Sequence, residues 1–558
     1  MQNSTPFFLF LLLFLLIFST AQPGISDPSP STACKSTLYP KLCHTILSSF
    51  RRSLPDSAAY GEFSVNQCIN HATTLSATIT RFLRRHPMLV SAREVSALDD
   101  CAHLAELTVD YLRLAAAELR ATDNRRSTTD VMVGRVEALL SAVVTNQQTC
   151  HDGLADAGSK IVDALHVPLS NASQLYSVSL GLVSHSLGRR RKVAAGEMGH
   201  RPRGMLEAFD WTRNPSFVAT KVLESSEREG RMVEELGMGV KVRGMVRVSR
   251  DGELGFNFTS IGEAIAHAPN KTKIKDGYFV IYAKEGYYEE NVVVGKHKRN
   301  IMLIGDGINR TIIVGNRSVA DGWTTYKSAT FAVHGERFLA IDVTFRNTAG
   351  PAKHQAVALR NNADLSAFYR CSFEGYQDTL YTHSLRQFYR DCDVYGTVDF
   401  VFGNAAAILQ NCNLYARRPL PNQKNVFTAQ GRTDPNQNTG ISIHNCTVQA
   451  AEELNSTSNF LGRPWKVYSR SVFMQSYIGD LIDPAGWLEW DGTTGGLDTV
   501  YYGEFENYGG GANTSMRVQW PGYSVMNASQ ALNFTVYNFT MGDTWLNYTN
   551  IPFSQGLL

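Results

Sequence analysis

Phe368-Tyr369-Arg370-Cys371, Phe388-Tyr389-Arg390-Asp391-Cys392 and Ile408-Leu409-Gln410-Asn411-Cys412 each set an apolar pair just before a cysteine, and the cysteines follow one another at 21 and 20 residues. A fixed interval near twenty residues marks a structural unit stacked on itself. Three polar residues keep nearly the same beat: Gln355, Asp378 twenty-three residues on, and Asp399 twenty-one after that. That interval is one coil of a parallel β-helix, whose neighbouring coils hydrogen-bond roughly 5 Å apart. Gln355, Asp378 and Asp399 are therefore expected in one column on one face, with the two carboxylates close enough to disturb each other's ionisation. Paired carboxylates of this kind serve acid and nucleophilic chemistry.

Outward from this stretch, the chain stays β-rich from about Val246 to its end. Short runs such as Tyr278-Phe279-Val280-Ile281-Tyr282, Asn300-Ile301-Met302-Leu303-Ile304 and Ala340-Ile341-Asp342-Val343-Thr344-Phe345 alternate with Gly and Asn turns. Aromatic and small residues repeated in each coil stack into ladders, so most of the repeated positions serve the core before they serve function. The first half reads differently. Between 33 and 187 the apolar positions recur at helical steps, as in Leu104, Leu107, Tyr111, Leu112 and Leu114, which predicts an all-α four-helix bundle. Between them, 188–245 carries Gly188-Arg189-Arg190-Arg191-Lys192, Arg201-Pro202-Arg203-Gly204-Met205-Leu206 and Arg228-Glu229-Gly230-Arg231, a basic joint open to proteases. A merely solvated charge run is the plainer alternative for it.

Length and charge bound the function. At 558 residues at least two domains are expected, and 53 basic against 51 acidic side chains give little support to nucleic-acid binding. The apolar run Phe7 to Phe18, followed by Ser19-Thr20-Ala21, reads as a secretory signal over 1–21, too short to span a bilayer comfortably. Because Met1 to Pro6 holds no Lys or Arg, an uncleaved anchor stays an alternative. Sequons at Asn171, Asn257, Asn316, Asn455, Asn513, Asn533 and Asn547 agree with the secretory route. An oxidising compartment permits bridges among the nine cysteines. Cys34 and Cys43 bracket the turn at Tyr39-Pro40, so a bridge there would clamp a helical hairpin. Cys101 and Cys150 are left to join two longer helices, with Cys68 unpaired.

Five segments in order, Gly286-Tyr287-Tyr288-Glu289-Glu290, Gln355-Ala356-Val357-Ala358-Leu359, Gly375-Tyr376-Gln377-Asp378-Thr379-Leu380-Tyr381, Asp399-Phe400-Val401-Phe402-Gly403 and Leu461-Gly462-Arg463-Pro464-Trp465, resemble the signature segments of plant pectin methylesterases. The resemblance covers essentially all of 246–558 and implies a right-handed parallel β-helix. The preceding half, with its cysteine spacing and Thr145-Asn146-Gln147-Gln148-Thr149-Cys150-His151-Asp152-Gly153, resembles the pectin methylesterase inhibitor domain that many such enzymes carry as a pro-region.

The resemblance implies a secreted carbohydrate esterase of the cell wall, or apoplast, that removes methyl groups from galacturonate esters of pectin. Asp399 is the expected nucleophile, kept ionised by the fork of Arg463. Asp378, beside that charge, is the expected proton donor to methanol and later the base for water. Gln377 and Gln355 suit an oxyanion hole. Tyr381, Phe402 and Trp465 are expected along the substrate groove, although Trp465 has a core residue as its alternative reading. Cys371 with Cys392, and Cys412 with Cys446, are expected structural bridges. No cofactor and no metal are expected, since no cluster has metal-site spacing and no phosphate loop or dinucleotide fingerprint occurs. The expected partners are methyl-esterified homogalacturonan, a protease at the joint and a proteinaceous pectin methylesterase inhibitor, with the chain a monomer.

Two other classes compete. A catalytically silent inhibitor or pectin-binding protein is disfavoured by the presence of Gln355, Gln377, Asp378, Asp399 and Arg463 together. A pectin lyase would need a Ca²⁺ site and a basic residue beside the column, and no acidic Ca²⁺ cluster is evident there. Two departures from the family's pattern concern processing. Arg250 to Phe258 replaces the usual Asp-Gly-Ser-Gly opening of the mature domain, and the joint lacks the usual Arg-Arg-Leu-Leu word, keeping an Arg-x-x-Leu frame at Arg203 to Leu206.

Overall fold

The computed structural model describes residues 29–50, 57–85, 91–123, 129–158, 161–197, 240–454 and 456–558. The expected signal at 1–21 and the basic words at Arg201–Leu206 and Arg228–Arg231 lie outside the described residues, as does the sequon residue Asn455.

Among the described residues six helices form the first half: α1 (Pro30–Cys34), α2 (Pro40–Ser48), α3 (Ser57–Arg85), α4 (Ala92–Asp123), α5 (Asp130–Asp156) and α6 (Ile161–Glu197). The four long ones, α3 to α6, pack around Val65, Leu104, Leu112, Val136, Val143 and Val183, all essentially without exposure. Prolines at the first positions of α1 and α2 suit helix starts, where the missing N–H has no partner to lose. Bridges Cys34–Cys43 and Cys101–Cys150 tie α1 to α2 and α4 to α5. The helical half runs past the expected boundary at 187, because Gly188 does not stop α6 and Arg189–Lys192 continue it. The first strand, Val242–Val248, starts ahead of the expected 246.

The second half is a parallel β-helix. Among the described residues its strands fall into sheets of eleven, seven and eight, and the ladders between strands are parallel. The seven-stranded sheet shows the beat directly, with Leu359 paired to Leu380 and Leu380 to Val401. The next rung is Val401 to Thr428, a longer coil that loops out through 417–424.

Between the eleven- and eight-stranded sheets six successive coils turn on a residue with positive φ: Asp342, Arg370, Asp391, Asn411, Asn445 and Gln475. Inside, aromatic rings stack from coil to coil, Phe368 on Tyr389 at 5.1 Å and Phe345 on Phe373 at 5.7 Å. Cys371, Cys392, Cys412 and Cys446 occupy one position in four successive coils and are buried free thiols, so the expected bridges Cys371–Cys392 and Cys412–Cys446 are not formed. The parallel in-register ladder aims each sulfur at main-chain carbonyls, Cys392 Sγ at Arg390 O (3.2 Å) and Cys446 Sγ at Leu409 O (3.3 Å). Cys68 is likewise buried and free.

The helical half lies on the seven-stranded sheet. Its apolar core runs without a break into Tyr326, Val357, Tyr381, Leu385, Phe402 and Ala429 of the β-helix. Polar contacts hold the edges: Arg135 to Glu336 at 2.7 Å, Lys296 to Asp110 at 2.7 Å, and Ser177 to Asp434.

Candidate active site

Asp378 and Asp399 each sit two residues ahead of a strand of the seven-stranded sheet, Leu380–Thr382 and Val401–Gly403, on adjacent coils. Leu380 pairs with Val401 and the Asp378 N–H donates to Val398 O at 3.1 Å, which brings Asp378 level with Asp399. Both adopt the left-handed conformation, φ 64° and 53°. That region is sparsely used by residues other than glycine but open to Asp and Asn, and such conformations collect at functional sites.

Gln355 is not directly above Asp378. The Thr379 carbonyl accepts from both Ala358 N (2.9 Å) and Leu359 N (3.3 Å), while Ala356 N reaches Gln377 O at 3.2 Å. Gln355 therefore comes in beside Gln377, and the expected column of three becomes two adjacent pairs, glutamines and aspartates.

The aspartates differ in their partners. Arg463, at the end of strand Asn459–Gly462, forks onto Asp399 with Nε to Oδ1 at 2.8 Å and Nη2 to Oδ2 at 2.7 Å. Asp378 has no hydrogen-bond or ion-pair partner for its carboxyl among the described residues. Burial, then the charge of Asp399, push the Asp378 carboxyl well above the usual carboxylate range, with only the Arg463 charge opposing. Burial also raises Asp399, but there the Arg463 hydrogen bonds and charge pull back. Burial works against the Arg463 cation too, yet Asp399 and Asp491 outweigh it and hold its pKa above the ordinary value. In a coupled pair the proton favours the group without the cation, so of the two Asp378 holds a proton more readily and Asp399 is the one drawn toward the carboxylate.

Two residues absent from the sequence reading support Arg463. Its guanidinium lies 4.2 Å over the Trp490 ring, and Nη1 reaches Asp491 at 3.3 Å. Neither carries a repeat signal, because the loop that supplies them lies beyond the strand that carries Arg463. The aromatic wall is formed by Tyr381 stacked on Phe402 at 4.2 Å and 19°, with Trp465 edge-on to Phe402 at 6.1 Å. Trp465 is half-buried rather than core.

This wall is covered by α5. Thr145 Oγ1 accepts from Asn404 Nδ2 (2.9 Å), Thr149 Oγ1 contacts His383 Nε2 (3.0 Å), and Asp152 pairs with Lys466 at 2.9 Å. Spacings of four and three put Thr145, Thr149 and Asp152 on one helix face. All three belong to the segment 145–153, so the stretch that carries the inhibitor-like resemblance is the one laid across the groove.

A β-helix with an Asp pair, an arginine clamp and an aromatic wall defines a class of carbohydrate-acting esterase, here with a helical domain seated on its groove. The family models agree: residues 245–543 match the pectinesterase model and residues 28–182 the plant invertase/pectin methylesterase inhibitor model. The chain belongs to the pectinesterase family of carboxylic ester hydrolases, with an inhibitor-type domain ahead of the catalytic one. It is 58% identical to probable pectinesterase/pectinesterase inhibitor 47 of Arabidopsis thaliana over 95% of this chain and 86% of that one. Probable pectinesterase/pectinesterase inhibitor 25 of the same plant is 56% identical over 95% and 87%. Among solved structures, pectin methylesterase from carrot is 53% identical with a TM-score of 0.54, covering 56% of this chain and 98% of that one.

Proposed function

We propose that this chain demethylates the galacturonate methyl esters of pectin through Asp399 as nucleophile and Asp378 as acid and base. The observation that carries it is the Arg463 fork on Asp399 beside a partnerless Asp378. The Asp399 carboxylate attacks the ester carbonyl, and the amides of Gln377 and Gln355, brought side by side, donate to the oxygen that gains charge. Methoxide leaves with the proton of Asp378 as methanol. Water then attacks the acyl-enzyme, giving one proton to Asp378 and its hydroxyl to the acyl carbon, whose bond to Asp399 breaks, and the galacturonic acid released loses its remaining proton to solvent. Tyr381, Phe402 and Trp465 offer flat faces to sugar rings.

The helical half acts as an internal brake. A domain tethered through the joint is held at an effective concentration that reaches the millimolar range, and α5 lies across the groove. A protease cutting the joint frees the groove for pectin, or for a separate proteinaceous inhibitor. Arg189–Lys192 lie within α6, a backbone that a protease cannot thread in extended form, which leaves Arg203–Leu206 as the better cleavage word. The protein is placed in the wall by secretion and acts as a monomer; among the described residues no helix is long and apolar enough to cross a membrane. Methanol release by cut and uncut protein at equal molarity and high dilution tests this reading. Cut protein is expected to be the faster; equal rates would leave the docked half without a role as brake, and no methanol from either would end the esterase assignment.

A further inference from the structure

On the flank of the interface away from the two aspartates, α4 and α5 and the β-helix frame a half-open cavity of about 290 Å³, with Arg113 and Lys271 at its solvent-exposed mouth. Leu107, Tyr111, Leu114, Leu139 and Leu385 give it apolar walls. Its acids are already matched: Asp110 by Lys296 at 2.7 Å, Glu336 by Arg135 at 2.7 Å, and Asp364 by the two-pronged contact of Arg386 at 2.7 and 3.0 Å. Three further cations line the same space, Arg113 from α4 and Lys271 and Arg299 from the β-helix, and none has a side-chain partner among the described residues. His334, 6% exposed, lines it as well, and its Nδ1 is buried without a hydrogen-bond partner. The lining holds five cations against three carboxylates, Glu106 and Glu118 adding second contacts to Lys296 and Arg135 from its rim, and this cationic excess over an apolar wall, with a buried nitrogen lacking a partner, describes a site for an anion that also has an apolar face. The volume is at the low end for ligand pockets, room for one or two small rings.

We propose that this interdomain cavity binds de-esterified galacturonate, the carboxylated sugar that the active site produces. The carboxylate takes Arg113, Lys271 and Arg299, and the C–H face of the ring lies on Leu107 and Tyr111. Both halves build the site, so by linkage whatever binds it favours the docked, covered state. Accumulated product thereby holds the brake on. The ligand's identity rests on the proposed esterase reaction; the cavity and its charge surplus do not.

The test is calorimetric titration of the uncut chain with trigalacturonate, beside its fully methyl-esterified form and sodium sulfate. Wild type is expected to bind the acid, and Lys271→Gln/Arg299→Gln to lose at least tenfold in affinity while still releasing methanol normally once cut. Cut wild-type halves are expected to separate more slowly in trigalacturonate, and those of the double variant to be indifferent to it. Equal affinity in the variant, or equal binding of the methyl ester, or equal binding of sulfate, overturns the proposal. Methanol release by cut wild type is read separately, so a failed esterase reading and a failed product site give different results.

Discussion

Asp378 and Asp399 are the same residue in the same backbone conformation, and the different roles proposed for them rest entirely on what each one faces. Asparagine tolerates positive φ as aspartate does, so Asp378→Asn and Asp399→Asn are expected to fold. Cut Asp399→Asn protein is expected to release no methanol above background, since an amide cannot accept the acyl group. Asp378→Asn keeps the nucleophile but loses the proton donor, which costs about 10²–10⁴ in rate. Initial rates of methanol release separate the two, and wild-type-like release by folded Asp399→Asn would overturn the mechanism. The pair was legible in the sequence because two carboxylates at a coil interval leave few alternatives. The placing of Gln355 was not, because of the two residues by which its interval of 23 exceeds 21 the ladder absorbs only one, at Thr379, and the other sets Gln355 beside Gln377. Trp490 and Asp491 had no signal at all, reaching Arg463 from a loop outside the repeat.

Each coil is made possible by its turn between sheets. Asn411, φ 57°, sits in the middle of that column, and its Nδ2 donates to Asp391 Oδ1 at 2.6 Å, so the turn residues also link coil to coil. A β-branched side chain in this conformation costs about 1–2 kcal/mol, so Asn411→Val is expected to lose at least that in denaturant unfolding of the cut protein, and Asn411→Gly clearly less. Equal losses would mean that the side-chain ladder, rather than φ, sets the cost. The coils themselves were readable from the apolar pair before each cysteine. The cysteines were misread because the compartment argument says only that bridges are permitted, whereas the ladder directs the sulfurs to main-chain carbonyls. With nine cysteines and two bridges, alkylation of the denatured, unreduced chain is expected to label five thiols. Three or one would show that one or both ladder pairs oxidise.

Across the whole molecule, docking buries groups that would otherwise titrate in water, and this makes the docking of the two halves sensitive to pH. His103 on α4 meets the His334 ring at 4.7 Å and faces Arg360, Lys296 and Lys327 of the β-helix, with Asp99 beside it on its own helix. Burial, followed by those cations, lowers its pKa from 6.5 to about 4. A histidine whose pKa falls on docking must shed its proton, so its contribution is complete above about pH 6.5 and is lost as the pH drops toward 4. Asp100, buried at the same seam and raised to about 6, works in the opposite direction, because the docked state holds its proton more tightly. The net slope therefore mixes signs, but the ratio of wild type to His103→Gln removes the groups they share. The docking constant of cut wild-type halves, divided by that of the variant, is expected to fall by about tenfold per pH unit between 6.5 and 4. Sedimentation or fluorescence anisotropy of labelled halves measures it. A flat ratio would mean that His103 keeps its ordinary titration under the docked helices, and that the seam around His334 and Arg360 admits enough water to solvate the imidazolium.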